Sequence, residues 1–459
     1  MNQNSAPDAS AEPKLTPMLE QYYDIKRRNE GYLLFYRMGD FYEMFFDDAI
    51  QGAQALDIAL TKRNREKGVD IPMCGVPVHS HEIYLSRLIK KGFKVAICEQ
   101  MEDPAQARKE RGSSALVKRE VIRLITPGTL TEDNILEPRS CNYLLALTRT
   151  ADGIGLAWAD VSTGDFAVQT LSDSRAGTLS AGVSRLDPKE IVVSDKILQT
   201  PEYFEVFNDY KRILTPLPAV RFSPENGQKR LEKFFDVKTL DAFGRFNQSE
   251  IGAAGALIDY IELTQKGQIP RLNPLKRYTT GRLMEIDTAT RRNLELFQSL
   301  GDEKGPTLFS AVDRTVTGAG ARLLSRYLSL PLTDVNAIDR RLDRVEFFFK
   351  NPMIRESARE RLAECPDMER ALARLSVGRG GPRDLAAIRD TLKQIPDLKS
   401  AMRSEMGMPA AIESCLDSLD ALPDLTETLH RALADDLPLM ARDGGFIAPL
   451  YSADLDELK

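Results

Sequence analysis

Short apolar runs mark the first half of the chain, and helical periods mark the second. Residues 16–31 carry helix signals: Thr16 as N-cap, Pro17 in the first turn, and the basic turn Lys26-Arg27-Arg28 before Gly31. The run Tyr32-Leu33-Leu34-Phe35-Tyr36 predicts a strand ending at the Gly39-Asp40 turn signal. Beyond that turn, Phe41-Tyr42-Glu43-Met44-Phe45-Phe46 either continues extended or turns into a helix. Ile58-Ala59-Leu60 reads as a strand and His81 to Lys91 as a helix closed by Gly92; Phe93 to Cys98 and Val117 to Leu124 read as strands. The block to about residue 125 is therefore mixed α/β.

A second α/β block opens with strand signals at Tyr143 to Leu147, Gly155 to Val161 and Asp165 to Thr170, the last two joined by a tight turn at Ser162-Thr163-Gly164. A helix near 174–186 and the strand Glu190-Ile191-Val192-Val193 complete a β-β-β-α-β order. From about Ile251 strand signals nearly vanish. Helices are predicted at Ala253 to Thr264, Thr288 to Leu300, Ala319 to Leu328 and Asp334 to Phe349. Shorter ones follow from 353 to 434, broken by Pro366, Gly380-Gly381-Pro382 and Pro423. No fixed-period repeat runs through this half. The fold class is multidomain, α/β in the first part and all-α in the last.

A length of 459 residues suits about three domains, each large enough for its own core. No apolar run approaches the ~18 residues that cross a bilayer, which excludes a spanning helix and a membrane partner. Met1 to Leu15 is polar, with neither a basic n-region nor an apolar h-region, so it reads as a disordered leader of a cytoplasmic protein. Five cysteines without a C-x-x-C pair suit reduced thiols and exclude a disulfide scaffold. The net charge of -6 argues weakly against nucleic acid as a partner, so local patches must carry that reading.

One candidate patch is Gly39-Asp40-Phe41-Tyr42-Glu43. In an extended segment Phe41, Glu43 and Phe45 share a face, and a carboxylate two residues from Phe41 makes it a poor core face. Phe41 exposed beside an acceptor-only group suits stacking on a base while contacting its edge. The plainer alternative is a core Phe41 beside a solvated Glu43. Lys62, Arg63, Arg65 and Lys67, then Arg108, Lys109, Arg111, Lys118, Arg119 and Arg123, form either a solvated surface or a phosphate-tracking patch. Lys62, Arg63, Arg108 and Lys109 are the candidate backbone contacts.

Other chemistry is thinner. Cys74, His79 and His81 are zinc-ligand types without a fourth ligand at suitable spacing. Asp160 and Asp165 resemble the sheet carboxylates of two-Mg²⁺ nucleases, but no helix-borne acid completes the set. No G-x-x-x-x-G-K-[ST] string is present, and Gly301 to Gly305 and Gly380-Gly381-Pro382 read as inter-helix loops. With three histidines, no Ser-His-Asp or Cys-His constellation can be assigned.

Gly39 to Phe45, Leu60-Thr61-Lys62-Arg63, Pro72 to Pro77 and Ala96 to Gln100 resemble the mismatch-recognition domain of the bacterial MutS family. The similarity continues through Thr126 to Thr129, Asp160 to Gly164, Ile286 to Glu295, Leu323 to Arg326 and Arg442 to Gly445, in order and over nearly the whole chain. It implies a mismatch-recognition domain at 16–125, an RNase H-like connector domain at 126–270 and a helical core/lever domain at 271–459, after the leader at 1–15. The resemblance carries the family's wedge phenylalanine onto Phe41 and its base-contacting glutamate onto Glu43. It implies mismatched double-stranded DNA as partner, and for a full-length protein a MutL-type partner, homodimerisation, and ATP with Mg²⁺ at a C-terminal ATPase domain. Because the sequence stops at Lys459, about where the lever reaches the clamp, no ATP-binding residue or enzymatic activity is expected in this chain. The competing readings are an RNase H-like carboxylate nuclease and a helical adaptor without a nucleic-acid role.

Overall fold

The computed structural model describes residues 16–66, 69–112, 116–267, 269–279, 281, 283–301, 305–403, 407–438 and 440–458. The expected leader at 1–15 and Lys67 lie outside the described residues, as do the side chains of Arg65 and Arg108. The chain divides into two compact units. One comprises residues up to Pro127 with Leu263–Gly267, the other Gly128–Glu262 with Gln268–Lys459.

In the first unit, helix α1 (Pro17–Arg28) leads into β1 (Leu33–Met38), β2 (Phe41–Phe45), α2 (Phe46–Leu56), β3 (Thr61–Glu66) and β4 (Val69–Pro77). Then come α3 (His81–Lys90), β5 (Val95–Gln100), α4 (Pro104–Arg111) and β6 (Arg119–Ile125). The strands form one sheet in the order β3-β4-β2-β1-β5-β6, antiparallel except where β1 lies beside β5. Leu34, Tyr36, Phe45, Ala96 and Cys98 share a core with Leu19, Tyr22 and Ile25 of α1. The alternate residues Phe35, Tyr42 and Met44 are buried as well, on the face where α2 packs. Covering both faces is what makes β1 an almost unbroken apolar run. Buried Asp48 fastens α2 to the sheet by accepting from Lys26 Nζ at 2.6 Å, the Leu34 amide at 3.0 Å and the Tyr22 hydroxyl at 3.1 Å. A buried charge needs such partners.

Of the two courses open after Gly39-Asp40, the chain stays extended to Phe45 and enters α2 at Phe46. Two expectations need correction. Ile58-Ala59-Leu60 is irregular, and the strand is the charged stretch that follows it, β3. An edge strand pairs on one side only, so apolar residues are not required there. The face bearing Phe41 and Glu43 is also not excluded from the core: Phe45, on the same side, is fully buried. Tyr22 of α1 packs edge-on against Phe45 at 5.1 Å between ring centres. Phe41 lies at the opposite end of β2, and its position along the strand sets its exposure.

The second unit begins with β7 (Tyr143–Thr150), β8 (Gly153–Asp160), β9 (Asp165–Leu171), α5 (Ala176–Ser184) and β10 (Glu190–Ser194). This is the order predicted. Next come α6 (Asp195–Leu198), α7 (Phe204–Asp209), β11 (Leu214–Leu217), α8 (Pro224–Phe235), α9 (Gln248–Thr264) and β12 (Lys276–Arg277). The sheet runs β11-β10-β7-β8-β9-β12, with β7, β8 and β9 antiparallel and the flanking pairs parallel. Every β8 residue is buried because both faces are covered, one by α8 and α9 and the other by α5 and α7. Helices α8 and α9 touch backbone to backbone at Gly227 and Gly255, where a Cβ on Gly255 would lie 2.2 Å from the Gly227 Cα.

Helices fill the remainder: α10 (Thr288–Asn293), α11 (Leu308–Val312), α12 (Gly318–Ser329), α13 (Val335–Lys350) and α14 (Pro352–Ala363). They continue with α15 (Met368–Ser376), α16 (Pro382–Met402), α17 (Ala410–Ser418), α18 (Pro423–Ala432) and α19 (Ala453–Glu457). The helix predicted over Thr288 to Leu300 stops at Asn293, because Glu295 adopts a left-handed φ of 46° and its carboxylate accepts from the Leu300 amide at 2.7 Å. Helix α16 runs 21 residues through Pro396, longer than the short helices expected there. Among the described residues, no helix is long and apolar enough to cross a membrane.

Candidate nucleic-acid interface

The β1–β2 hairpin presents Phe41. Gly39 takes a left-handed φ of 59°, and Met38 pairs with Phe41, Arg37 with Tyr42 and Tyr36 with Glu43. On its other side β2 pairs with β4, setting Phe41 opposite Pro77 and Glu43 opposite Gly75. The Val78 amide donates to the Asp40 carbonyl at 2.9 Å, which ties the turn to the end of β4. Between these two strands the Phe41 backbone is fixed, while the residue remains 47% exposed.

Gly75 matters here and was not singled out by residue-level reading. A Cβ at this position would approach the Tyr42 carbonyl oxygen at 3.3 Å, the Glu43 Cγ at 3.7 Å and the Phe41 ring at 3.8 Å. Its missing side chain leaves open the surface between Phe41 and Glu43. The available signal was its place between two apolar residues in a strand-like stretch, since an interior glycine marks close approach of another group.

Glu43 is not a freely solvated charge. Its side chain is 19% exposed, and Arg63 NH1 donates to its Oε2 at 3.3 Å. Burial raises its carboxyl above the usual Glu value, against the opposing pull of Arg63 and Arg119. Arg119 is buried: its Nε donates to the Arg37 carbonyl at 2.8 Å, and its guanidinium lies 4.8 Å from the Tyr36 ring centre. The resulting row is an exposed aromatic ring, a partly buried carboxylate, and two arginines behind it.

The folded chain holds the Glu43 proton more tightly than the unfolded chain does. Ionising Glu43 therefore costs stability as the pH rises from the ordinary carboxylate range through the folded value. Relative to Glu43→Gln, the wild type is expected to gain melting temperature as the pH falls from about 7 to about 4. Parallel thermal unfolding of the two chains checks this, and a difference that stays flat would mean the carboxyl is not shifted.

The structure joins only part of the basic set to this patch. Arg63 is Glu43's ion-pair partner, whereas the exposed Lys62 pairs with Asp70 at 2.7 Å. Lys109 is exposed on α4, and the side chain of Arg108 on the same helix lies outside the described residues.

The competing site readings find other roles for their residues. Asp160 is buried and saturated by the Asn142 amide at 2.8 Å and by the Ser162 amide and hydroxyl at 3.0 and 2.6 Å. Asp165 pairs with Arg326 at 2.9 Å. Burial pushes the Cys74 thiol up to about 11, and its Sγ donates to the Ala49 carbonyl, while His81 Nδ1 bonds the Val78 carbonyl at 2.6 Å. Among the described residues no group of three or more His, Cys, Asp or Glu could hold a metal ion.

Residues 16–134 match MutS domain I, residues 142–274 match MutS domain II, and residues 289–458 match MutS domain III. A DNA mismatch repair protein MutS of Cereibacter sphaeroides is 50% identical over 445 residues, covering 97% of this chain and 50% of that protein. Proteins of the same name from Ruegeria pomeroyi and another Ruegeria species are 49% and 48% identical, again over 97% of this chain and 50% of theirs. The chain spans about half the length of these curated relatives.

Proposed function

The chain belongs to the MutS family, and on that premise we propose that its first unit recognises mismatched or looped duplex DNA by inserting Phe41 at the weakened step while Glu43 meets the displaced base. The observation that carries this reading is an exposed aromatic side chain on a backbone fixed by two strands, with a partly buried carboxylate beside it. A mismatched step has lost pairing and stacking, so bending and unstacking it costs less than the few kcal/mol a paired step demands. The Phe41 ring replaces part of the lost stacking, about 1–3 kcal/mol per base.

Glu43 acts in two ways. At the displaced base edge it accepts or shares a proton, and its burial raises the carboxyl's hold on a proton. Facing matched duplex, its ionised form meets phosphates and no open base edge, and that repulsion weakens the unwanted complex. Exposed basic side chains such as Lys62 and Lys109 supply contacts to the DNA backbone.

Bending the DNA, homodimerisation, a MutL-type partner and ATP-driven switching with Mg²⁺ belong to this proposal for a full-length protein acting on chromosomal DNA in the cytoplasm. The present sequence has no phosphate-loop string to hold ATP, so no nucleotide step is assigned to its residues. The carboxylate nuclease gains no support, since Asp160 and Asp165 are engaged by amides, a hydroxyl and an arginine. Titration of labelled G·T and matched duplexes with this chain, and with a full-length protein carrying it, tests the proposal. Preferential G·T binding is expected at least in the full-length protein, and equal affinity for both duplexes would overturn the reading.

A further inference from the structure

Arg119 opens β6 within a run of basic residues, yet only 8% of it is exposed, so it does not stand where a phosphate could reach it. Its guanidinium lies instead against β1 of the hairpin that carries Phe41. Strand β1 is paired with β5 as far as Tyr36, which stands opposite Cys98. Just past that point Arg119 Nε donates to the Arg37 carbonyl at 2.8 Å. Its Nη2 reaches Met38 Sδ at 3.2 Å, and its guanidinium carbon lies 4.8 Å from the centre of the Tyr36 ring. One side chain thus holds the last three residues of β1.

Across the hairpin those residues face the recognition strand: Tyr36 is opposite Glu43, Arg37 opposite Tyr42 and Met38 opposite Phe41. Directly opposed residues of an antiparallel pair carry their side chains on one face, so the place of Met38 helps to set the place of the Phe41 ring. The chain turns through Gly39 and Asp40 immediately after Met38, and the turn rests on how β1 ends. Arg37, whose carbonyl Arg119 holds, sends its own Nε to the Gly39 carbonyl.

The guanidinium is anchored on its other side as well. Nη1 donates to Gln21 Oε1 of α1 and to the Val117 carbonyl, each at 3.1 Å. Gln21 Oε1 also accepts from the Tyr36 hydroxyl at 2.5 Å. A rigid planar fork with five N–H donors can hold such separate acceptors at once, which a single ammonium cannot.

We propose that Arg119 is a positioning residue for Phe41, holding the end of β1 so that the ring on the paired strand keeps one place above the sheet. The proposal rests on insertion of Phe41 at the mismatch. A ring already held where it is needed loses less freedom on binding, so its hold on DNA is tighter.

The test uses a full-length protein carrying this chain, as wild type, Phe41→Ala, Arg119→Met and the double variant, titrated with labelled G·T and matched duplexes. Arg119→Met keeps an unbranched side chain and deletes the donors. It is expected to weaken G·T binding by about tenfold and matched binding by less than about threefold; with Phe41→Ala already present, it should weaken G·T binding by less than about twofold. Arg119→Lys keeps the cation near Glu43 but cannot hold Arg37, Met38 and Gln21 together, and should still lose at least about threefold on G·T. Circular-dichroism melting confirms that each variant is folded, and if Arg119→Met is not, Arg119→Lys carries the cycle. An equal loss with and without Phe41 overturns the proposal, as does a parallel loss on both duplexes. Wild-type G·T affinity in Arg119→Lys also overturns it, because charge alone would then suffice. A wild type that binds both duplexes equally removes the Phe41 reading itself, and this proposal with it, before any Arg119 variant is compared.

Discussion

Replacing Phe41 with Ala is expected to leave this chain folded while stripping a full-length MutS protein that carries it of its preference for mismatched duplex. The residue is 47% exposed, so removing its ring opens no internal cavity and should move the melting temperature by at most a few degrees. Losing the stacked ring should lower mismatch affinity by about 5- to 150-fold and leave matched affinity nearly unchanged. Phe45→Ala supplies the contrast within the same strand. It points to the same side, is fully buried against Tyr22, and should lose about 3–5 kcal/mol of stability. Thermal unfolding of both variants with duplex titrations separates the two roles. A Phe41→Ala chain that unfolds like Phe45→Ala would assign Phe41 to the core.

Glu43→Ala is expected to narrow discrimination from the other side, by tightening matched-duplex binding more than it weakens the mismatch complex. The change in the difference should be about 1–3 kcal/mol. Glu43→Gln keeps the shape and an acceptor oxygen while deleting the charge, so comparing the two variants separates repulsion from hydrogen bonding. Parallel loss of matched and mismatched affinity in Glu43→Ala would count against this role, because Glu43 would then be acting through folding or positioning.

Much of the architecture was legible in the sequence because its signals are local. The β-β-β-α-β order follows from turn residues and apolar runs; Pro366 and Gly380-Gly381 fall between helices, while Pro382 and Pro423 are the first residues of α16 and α18. Failures came where neighbours distant in sequence decide. Charged β3 becomes a strand only because β4 pairs with it, and β4 itself is masked by Asp70, two prolines and Gly75. The same gap hid the site's electrostatics. Arg63 looked like one member of a basic cluster, whereas the sheet places it against Glu43, 20 residues earlier in the chain. Phe41's exposure was anticipated for an incomplete reason. Alternation put it on one face with Glu43 and Phe45, but alternation is blind to where along the strand α1 stops covering that face.

The most direct test of the central claim is a 2-aminopurine placed beside a G·T mismatch, which brightens when its stacking is lost. Binding by a full-length protein with the wild-type sequence is expected to raise this fluorescence, with little change on matched duplex. Phe41→Ala, at concentrations that still saturate the DNA, should give almost no rise. An equal rise from both proteins would show that the step opens without the ring, and would contradict insertion of Phe41 as the basis of recognition.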